Sequence, residues 1–120
     1  MIGIVVALKK EAENFLLGIK DVKEIKLADK PTYLGKVDDV DFALIISGIG
    51  KVSAALSTQL LIDKYNPSAI LNFGTTGGMN NSVKVLEYYL VDKCCQYDFD
   101  LTELEDVPLG YIQEYDTVFF

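Results

Sequence analysis

The segment ISGIGKVSAAL, Ile46 to Leu56, constrains this chain more than any other. Two glycines one residue apart stand between an apolar run and a stretch with helical spacing. Such a loop turns a strand sharply into a helix and leaves backbone N–H groups bare at the helix N-terminus. Three uses compete: a dinucleotide fingerprint, a phosphate cradle, or an ordinary tight turn. The fingerprint needs G-x-G-x-x-G after a strand, then an acid about twenty positions later. Gly48 and Gly50 fit, but Ser53 holds the third position, and the nearest distal acid, Asp63, falls inside the expected helix. A P-loop needs Ser or Thr after Gly-Lys, and here Val52 follows Gly50-Lys51. Both motifs fail, so the sequence implies no nucleotide cofactor.

The surrounding pattern sets the fold class. IGIVVAL (Ile2–Leu8) is of strand length, and KKEAENFLLG follows with Ala12, Phe15 and Leu16 on one helical face and Gly18 as the stop. VKEIKLA, PTYLGKV and VDFALII predict three strands, the last two joined by a tight turn at Asp38-Asp39. Lys51–Tyr65 predicts an amphipathic helix with Val52, Ala55, Leu56 and Leu60 on its buried side, ended by Asn66-Pro67. SAILNF then predicts a buried strand, GTTGG a second glycine loop, and VKVLEYYLVDK a further strand. Helices among parallel-capable strands indicate an α/β fold: a mixed β-sheet with flanking helices in a three-layer sandwich, organised as one domain over residues 1–120. Asp98–Phe120 is acidic and poorly periodic and finishes on the apolar TVFF. That finish suggests a truncated chain; a C-terminal edge strand is the plainer alternative.

Composition removes several function classes. The net charge of −7 argues against nucleic-acid or anionic-membrane partners. No apolar run approaches the roughly 20 residues of a membrane span, and the N-terminus has the reverse polarity of a secretory signal, so the cytoplasm is the expected compartment. All 11 basic residues are lysines, and there is no histidine. The chain cannot supply a histidine-based triad, a His-containing zinc site or an arginine clamp. Adjacent Cys94 and Cys95 are expected to be buried thiols, with no metal bound.

Three expected strand ends carry unusual residues: Leu8–Glu11, Ser47–Lys51 and Gly74–Gly78. Ligands of open α/β sheets sit beyond such ends. One carboxylate, two glycine loops and the hydroxyls of Thr75 and Thr76 suit a small polyhydroxylated ligand. IGIVVALKKE, SGIGKVSAA and NFGTTGG, in this order, resemble the N-terminal half of the nucleoside phosphorylase/nucleosidase family, and most of all its methylthioadenosine/S-adenosylhomocysteine nucleosidase branch.

The resemblance implies a purine-nucleoside pocket and hydrolysis of an N-ribosidic bond, without a cofactor, in methionine salvage. By that resemblance Glu11 positions and activates water, with Ala7 and Leu8 beside it. Ser47, Gly48, Ile49 and Gly50 form the floor, Ile49 facing the sugar, and Thr75, Thr76 and Gly77 run along the ribose and base. It also implies a homodimer or higher homo-oligomer. It further places the acid that protonates the purine, and a second glutamate, beyond Phe120, so the chain alone is expected not to turn over. Lys9, Lys10, Phe73 and Thr76 differ from the family's usual residues. Phosphorolysis and a non-catalytic nucleoside-binding or oligomer-forming role are the alternatives.

Overall fold

The computed structural model describes all 120 residues, in two compact units, Met1–Gly77 and Gly78–Phe120. The first unit is a five-stranded sheet in the order β2-β3-β4-β1-β5. Its strands are β1 (Ile2–Val6), β2 (Lys23–Leu27), β3 (Lys30–Val37), β4 (Val40–Ile46) and β5 (Ala69–Asn72). Helix α1 (Lys9–Leu17) follows β1, and α2 (Lys51–Tyr65) crosses from β4 to β5. Strands β2, β3 and β4 form an antiparallel meander, while β4 and β5 both run parallel to β1. This is the mixed α/β sheet that the sequence pattern predicts. No helix is long and apolar enough to cross a membrane.

The turns explain the meander. Asp38 and Asp39 have φ of 44° and 67°, and Ala28 and Asp29 have 46° and 66°. Two left-handed residues in succession match the right-handed twist of the flanking strands. Aspartate tolerates that region because its short side chain bonds locally, which is how the expected Asp38-Asp39 turn forms without glycine.

β1 lies between β4 and β5 and alternates between two cores. Ile4 and Val6 pack with Tyr33, Phe42, Leu44 and Ala12 of α1, joined by Phe15 and Leu16. Val5 packs on the opposite face with Ala43, Ile45 and Leu61 of α2. The predicted α1 face is therefore the one that packs. The α2 face is not. Val52 is 85% and Leu56 53% exposed, and Ala55 is exposed too, whereas Ser57 and Leu61 are fully buried. Ser57 Oγ donates to the Ser53 carbonyl at 2.8 Å and Thr58 Oγ1 to the Ala54 carbonyl at 2.8 Å. These hydroxyls are satisfied by their own helix, so polar residues can face the sheet at little cost.

Other expectations are also corrected. β5 is an edge strand, with Leu71 53% exposed, and not a buried one. Gly18 ends α1 at φ −78°, in the right-handed region, so its left-handed capacity goes unused.

In the second unit, Val83–Lys93 forms no strand. Leu86 has φ 67°, which no extended ladder accepts, and the Lys84 N–H is taken by the Tyr89 hydroxyl at 3.0 Å. Cys94 and Cys95 are exposed thiols. The segment is held by main-chain pairing and not by packing of the thiols: Cys94 and Phe120 exchange two backbone hydrogen bonds of 3.0 Å. The end of the chain forms no edge strand either, only a bridge between Ile112 and Thr117 around the short 3₁₀ turn Gln113–Tyr115.

The two sides of α2 should separate in a stability measurement. Leu61→Ala is expected to cost about 2–5 kcal/mol, and Val52→Ala to stay within about 0.5 kcal/mol. Urea unfolding monitored by circular dichroism distinguishes them; equal losses would mean that the helix packs through its Val52 side.

Candidate functional site

Because β4, β1 and β5 are parallel neighbours, their carboxyl ends lie on one edge of the sheet. The loops that leave those ends are the three flagged in the sequence. Backbone bonds tie the first two together: Ser47 N–H donates to the Val6 carbonyl at 2.8 Å, and Gly48 N–H to the Ala7 carbonyl at 3.1 Å. At the third end, the Asn72 side-chain amide donates to the Val5 carbonyl at 2.8 Å.

Glu11 joins the third loop to α1. It is the third residue of the helix, and its Oε2 accepts the Leu8 N–H at 3.1 Å, as the acid of a capping box does. Its Oε1 accepts two hydrogen bonds from Thr75, the backbone N–H at 2.8 Å and Oγ1 at 2.7 Å. Thr75 is the chief cause, through first its N–H and then its hydroxyl, that holds the Glu11 pKa below its usual 4.5; the Leu8 N–H adds to the effect and desolvation opposes it. A carboxylate oxygen accepts about two hydrogen bonds. Oε1 is therefore filled, and Oε2 keeps a direction for one more donor. Gly74 makes the approach possible, since a Cβ there would stand 3.0 Å from Oε1.

Phe73, just before that loop, packs edge-on against Phe15 of α1, with ring centres 5.9 Å apart. Phe15 packs in turn on Phe42 at 5.3 Å. This aromatic chain fixes β5's end against α1 and so brings Thr75 to Glu11. The Lys9 ammonium, two residues before Glu11, lies 5.9 Å from the centre of the Tyr33 ring.

In the glycine loop, Gly48 and Gly50 have φ of 82° and 105°, where residues with a Cβ are strained. Gly50 is the N-cap of α2. Ser47 is only 2% exposed, and its Oγ donates to the Gly48 carbonyl at 2.8 Å. Its side chain is thus spent on the turn, and among the sequence-flagged residues it holds the site without facing it. Ile49 is 77% and Leu8 44% exposed, and Thr75, Thr76 and Gly77 are open to solvent. The structure brings Ala7, Leu8, Glu11, Gly48 and Thr75 together by direct bonds. Thr76 and Gly77 only follow in the same loop. The clearest concavities lie elsewhere, one lined by Met1, Asp21, Gly35 and Phe42 and one by Lys9, Leu16, Val22 and Tyr33. The site is an open, preorganised edge.

Sequence reasoning passed over Asn72, Phe73 as a packing residue, and Lys30, whose Nζ donates to the Ser47 carbonyl. Asn72 had a signal, a lone amide ending an apolar strand. Lys30 had none.

Three parallel strand ends, a capped carboxylate and a glycine turn into α2 define a nucleoside-phosphorylase-like half-sheet, and the comparisons agree. The chain belongs to the phosphorylase superfamily, whose family model matches residues 1–118. Within that class it is similar to 5'-methylthioadenosine/S-adenosylhomocysteine nucleosidases. That of Buchnera aphidicola subsp. Acyrthosiphon pisum is 41% identical over 118 residues, 95% of this chain and 50% of the relative. That of Staphylococcus carnosus is 34% identical over 125 residues, 98% of this chain and 55% of the relative. The solved nucleosidase of Colwellia psychrerythraea, in complex with adenine, superposes with a TM-score of 0.89 at 30% identity, over 99% of this chain and 48% of that one. The chain spans about half the length of the curated relatives it matches.

The Thr75 contact predicts a pH signature. The Glu11 pKa is lowered in the folded state, so its contribution to stability is complete above the unfolded value near 4.5 and disappears as pH falls through the folded value. Thr75→Val removes one of the two donors to Oε1 and should move the Glu11 titration upward, toward 4.5. Carboxyl-carbon NMR titration reads this directly; an unmoved titration would show that the hydroxyl contact is not formed in solution.

Proposed function

We propose that this chain is one half of a purine nucleosidase that hydrolyses the N-ribosidic bond of methylthioadenosine- or S-adenosylhomocysteine-like nucleosides. The observation that carries the reading is Glu11: ionised, oriented by three hydrogen bonds, and left with one acceptor direction at the edge where three strand ends meet. In this reading residues 1–120 form the N-terminal half of the catalytic domain. The nucleosidase relatives support it.

The chemistry follows from charge. As the C–N bond breaks, its electron pair leaves with the purine and the sugar becomes oxocarbenium-like. A nearby carboxylate stabilises that cation and orients water toward the anomeric carbon. The lowered pKa makes Glu11 a weak base, but water bonding to an electron-poor carbon becomes strongly acidic, so a weak base suffices. Oxygen joins the anomeric carbon, one water proton passes to Glu11, and the purine nitrogen takes a proton from a separate donor. The Gly48–Gly50 backbone and Ile49 lie under the sugar, with Ala7 and Leu8 near the water and Thr75, Thr76 and Gly77 along ribose and base. An anionic Glu11 suits water better than a phosphate dianion, which it would repel.

Association of copies belongs to the same proposal. Val52, Leu56 and Ile62 on α2 are 85%, 53% and 41% exposed, and Ile49 beside them is 77% exposed. Val52 and Leu56, one turn apart on α2, make an exposed apolar pair that suits cover by a second copy. Light scattering is expected to show a dimer or larger species, and Leu56→Lys is expected to shift it toward the monomer.

The catalytic reading is tested by adenine release from 5'-methylthioadenosine, with calorimetric binding in parallel. Carried on a protein of its relatives' length, Glu11→Gln should lower release by about 10²–10⁴-fold while binding persists, because an amide hydrogen-bonds but takes no proton. The 120-residue chain is expected to bind the nucleoside with little turnover, lacking the donor for the purine. Wild-type rates in Glu11→Gln would remove Glu11 from the reaction.

A further inference from the structure

We infer that Lys30 is a positioning residue for the glycine loop, clamping the Ser47 carbonyl and so fixing the Gly48–Gly50 backbone. The clamp is read from geometry alone; only its effect on ligand binding rests on the nucleosidase reading above. Lys30 Nζ donates to the Ser47 carbonyl in a part-buried bond between residues 17 positions apart.

The sheet explains how a lysine comes to be there. The left-handed Ala28-Asp29 turn returns the chain, and Lys30 opens β3. Pro31 comes next, with no N–H for the ladder. Pairing between β3 and β4 reaches Thr32 opposite Ile45 and goes no further. Continued past Pro31, the same register sets Lys30 opposite Ser47. Where the main-chain ladder stops, the Lys30 side chain carries the bonding on to the loop. Thr32 Oγ1 donates to the Lys30 carbonyl at 3.2 Å and steadies the residue itself.

The loop needs such a hold. Gly48 and Gly50 are the most permissive kind of residue, and a Cβ built at Gly50 would meet nothing within 4 Å. Around Gly50 there is no side chain for a Cβ to pack on. What precedes it is fully tied: Ser47 gives its N–H to Val6, its hydroxyl to the Gly48 carbonyl, and its carbonyl to Lys30. A cation close to a helix N-terminus opposes the helix dipole. A charge-assisted bond to a buried residue's carbonyl outweighs that cost.

The test uses the full chain and three variants. Lys30→Met keeps the aliphatic stem without the donor, Lys30→Arg keeps a charged donor, and Lys30→Gln is a neutral, shorter second variant should Lys30→Met fail to fold. Amide hydrogen exchange by NMR reads Gly48, which bonds to Ala7, and Ala54, which bonds to Gly50. Both should exchange roughly tenfold faster in Lys30→Met, with Val6 and Leu44 unchanged and Lys30→Arg restoring protection. Unchanged Gly48 and Ala54, or equal acceleration throughout the sheet, overturns the clamp. Calorimetry with 5'-methylthioadenosine should show roughly tenfold weaker binding in Lys30→Met, recovered in Lys30→Arg. Equal affinity in wild type and Lys30→Met also overturns it. If wild type takes up no nucleoside while the local exchange pattern stands, the nucleosidase reading fails and the clamp is upheld.

Discussion

Everything in the first unit follows from β1 lying between β4 and β5, parallel to both. A strand in that place must be apolar on both faces, and Ile4, Val5 and Val6 are 5%, 3% and 0% exposed. One face is covered by α1 and the other by α2. The two helices are therefore on opposite sides of the sheet, yet each starts where a neighbouring parallel strand ends. Their N-termini consequently meet at one edge. Glu11 enters with α1, the glycine turn with α2, and Thr75 arrives on the loop after β5. Convergence of the site is a property of the topology, not of any single loop.

The same edge has an electrostatic bias. The N-termini of two helices at this edge favour negative charge or oxygen-rich groups. Glu11 uses part of that bias, since its carboxylate collects the Leu8 and Thr75 donors. Each donor lowers its pKa and also fixes its direction. The arrangement exchanges basicity for aim. That suits a reaction in which positive charge builds on carbon before water's proton has to move, and it suits less well the abstraction of a proton from a neutral, unactivated group. Preorganised groups of this kind need no reorganisation when charge develops.

Strand and helix positions in the first unit were legible because β1 and the Phe42–Ile46 part of β4 carry continuous apolar runs, β3 is bounded by turn residues, and α1 keeps a clean helical spacing. The side of α2 was not. Hydropathy counts Ser57 and Thr58 as polar, but their hydroxyls bond to their own helix and they turn toward the sheet, while Val52 is left outside. Val83–Lys93 misled for the converse reason: it is rich in valine, leucine and tyrosine as strands are, but Leu86 is left-handed and Tyr89 takes the Lys84 N–H. At the site, Glu11 and the glycines were visible as chemistry-bearing residues at strand ends. The inward turn of the Ser47 hydroxyl and the reach of Lys30 were not, because the first is set by the turn into Gly48 and the second by register across the β3–β4 pair, which no local pattern encodes.

The sheet thus divides the work of holding the site among contacts of different kinds. Backbone bonds from Ser47 and Gly48 to Val6 and Ala7 set the glycine turn against the end of β1. The Phe73–Phe15–Phe42 rings set the β5 end against α1 by packing alone. None of these uses a side-chain oxygen or a charge. The groups left facing outward are the second lone-pair direction of Glu11 Oε2, the backbone around Ile49, and the Thr76–Gly77 segment. They form one open edge at which oxygen-rich groups can be held. The Thr75 and Leu8 donors keep the Glu11 carboxyl in its ionised form, so on this edge it serves to accept hydrogen bonds and not to donate a proton at neutral pH.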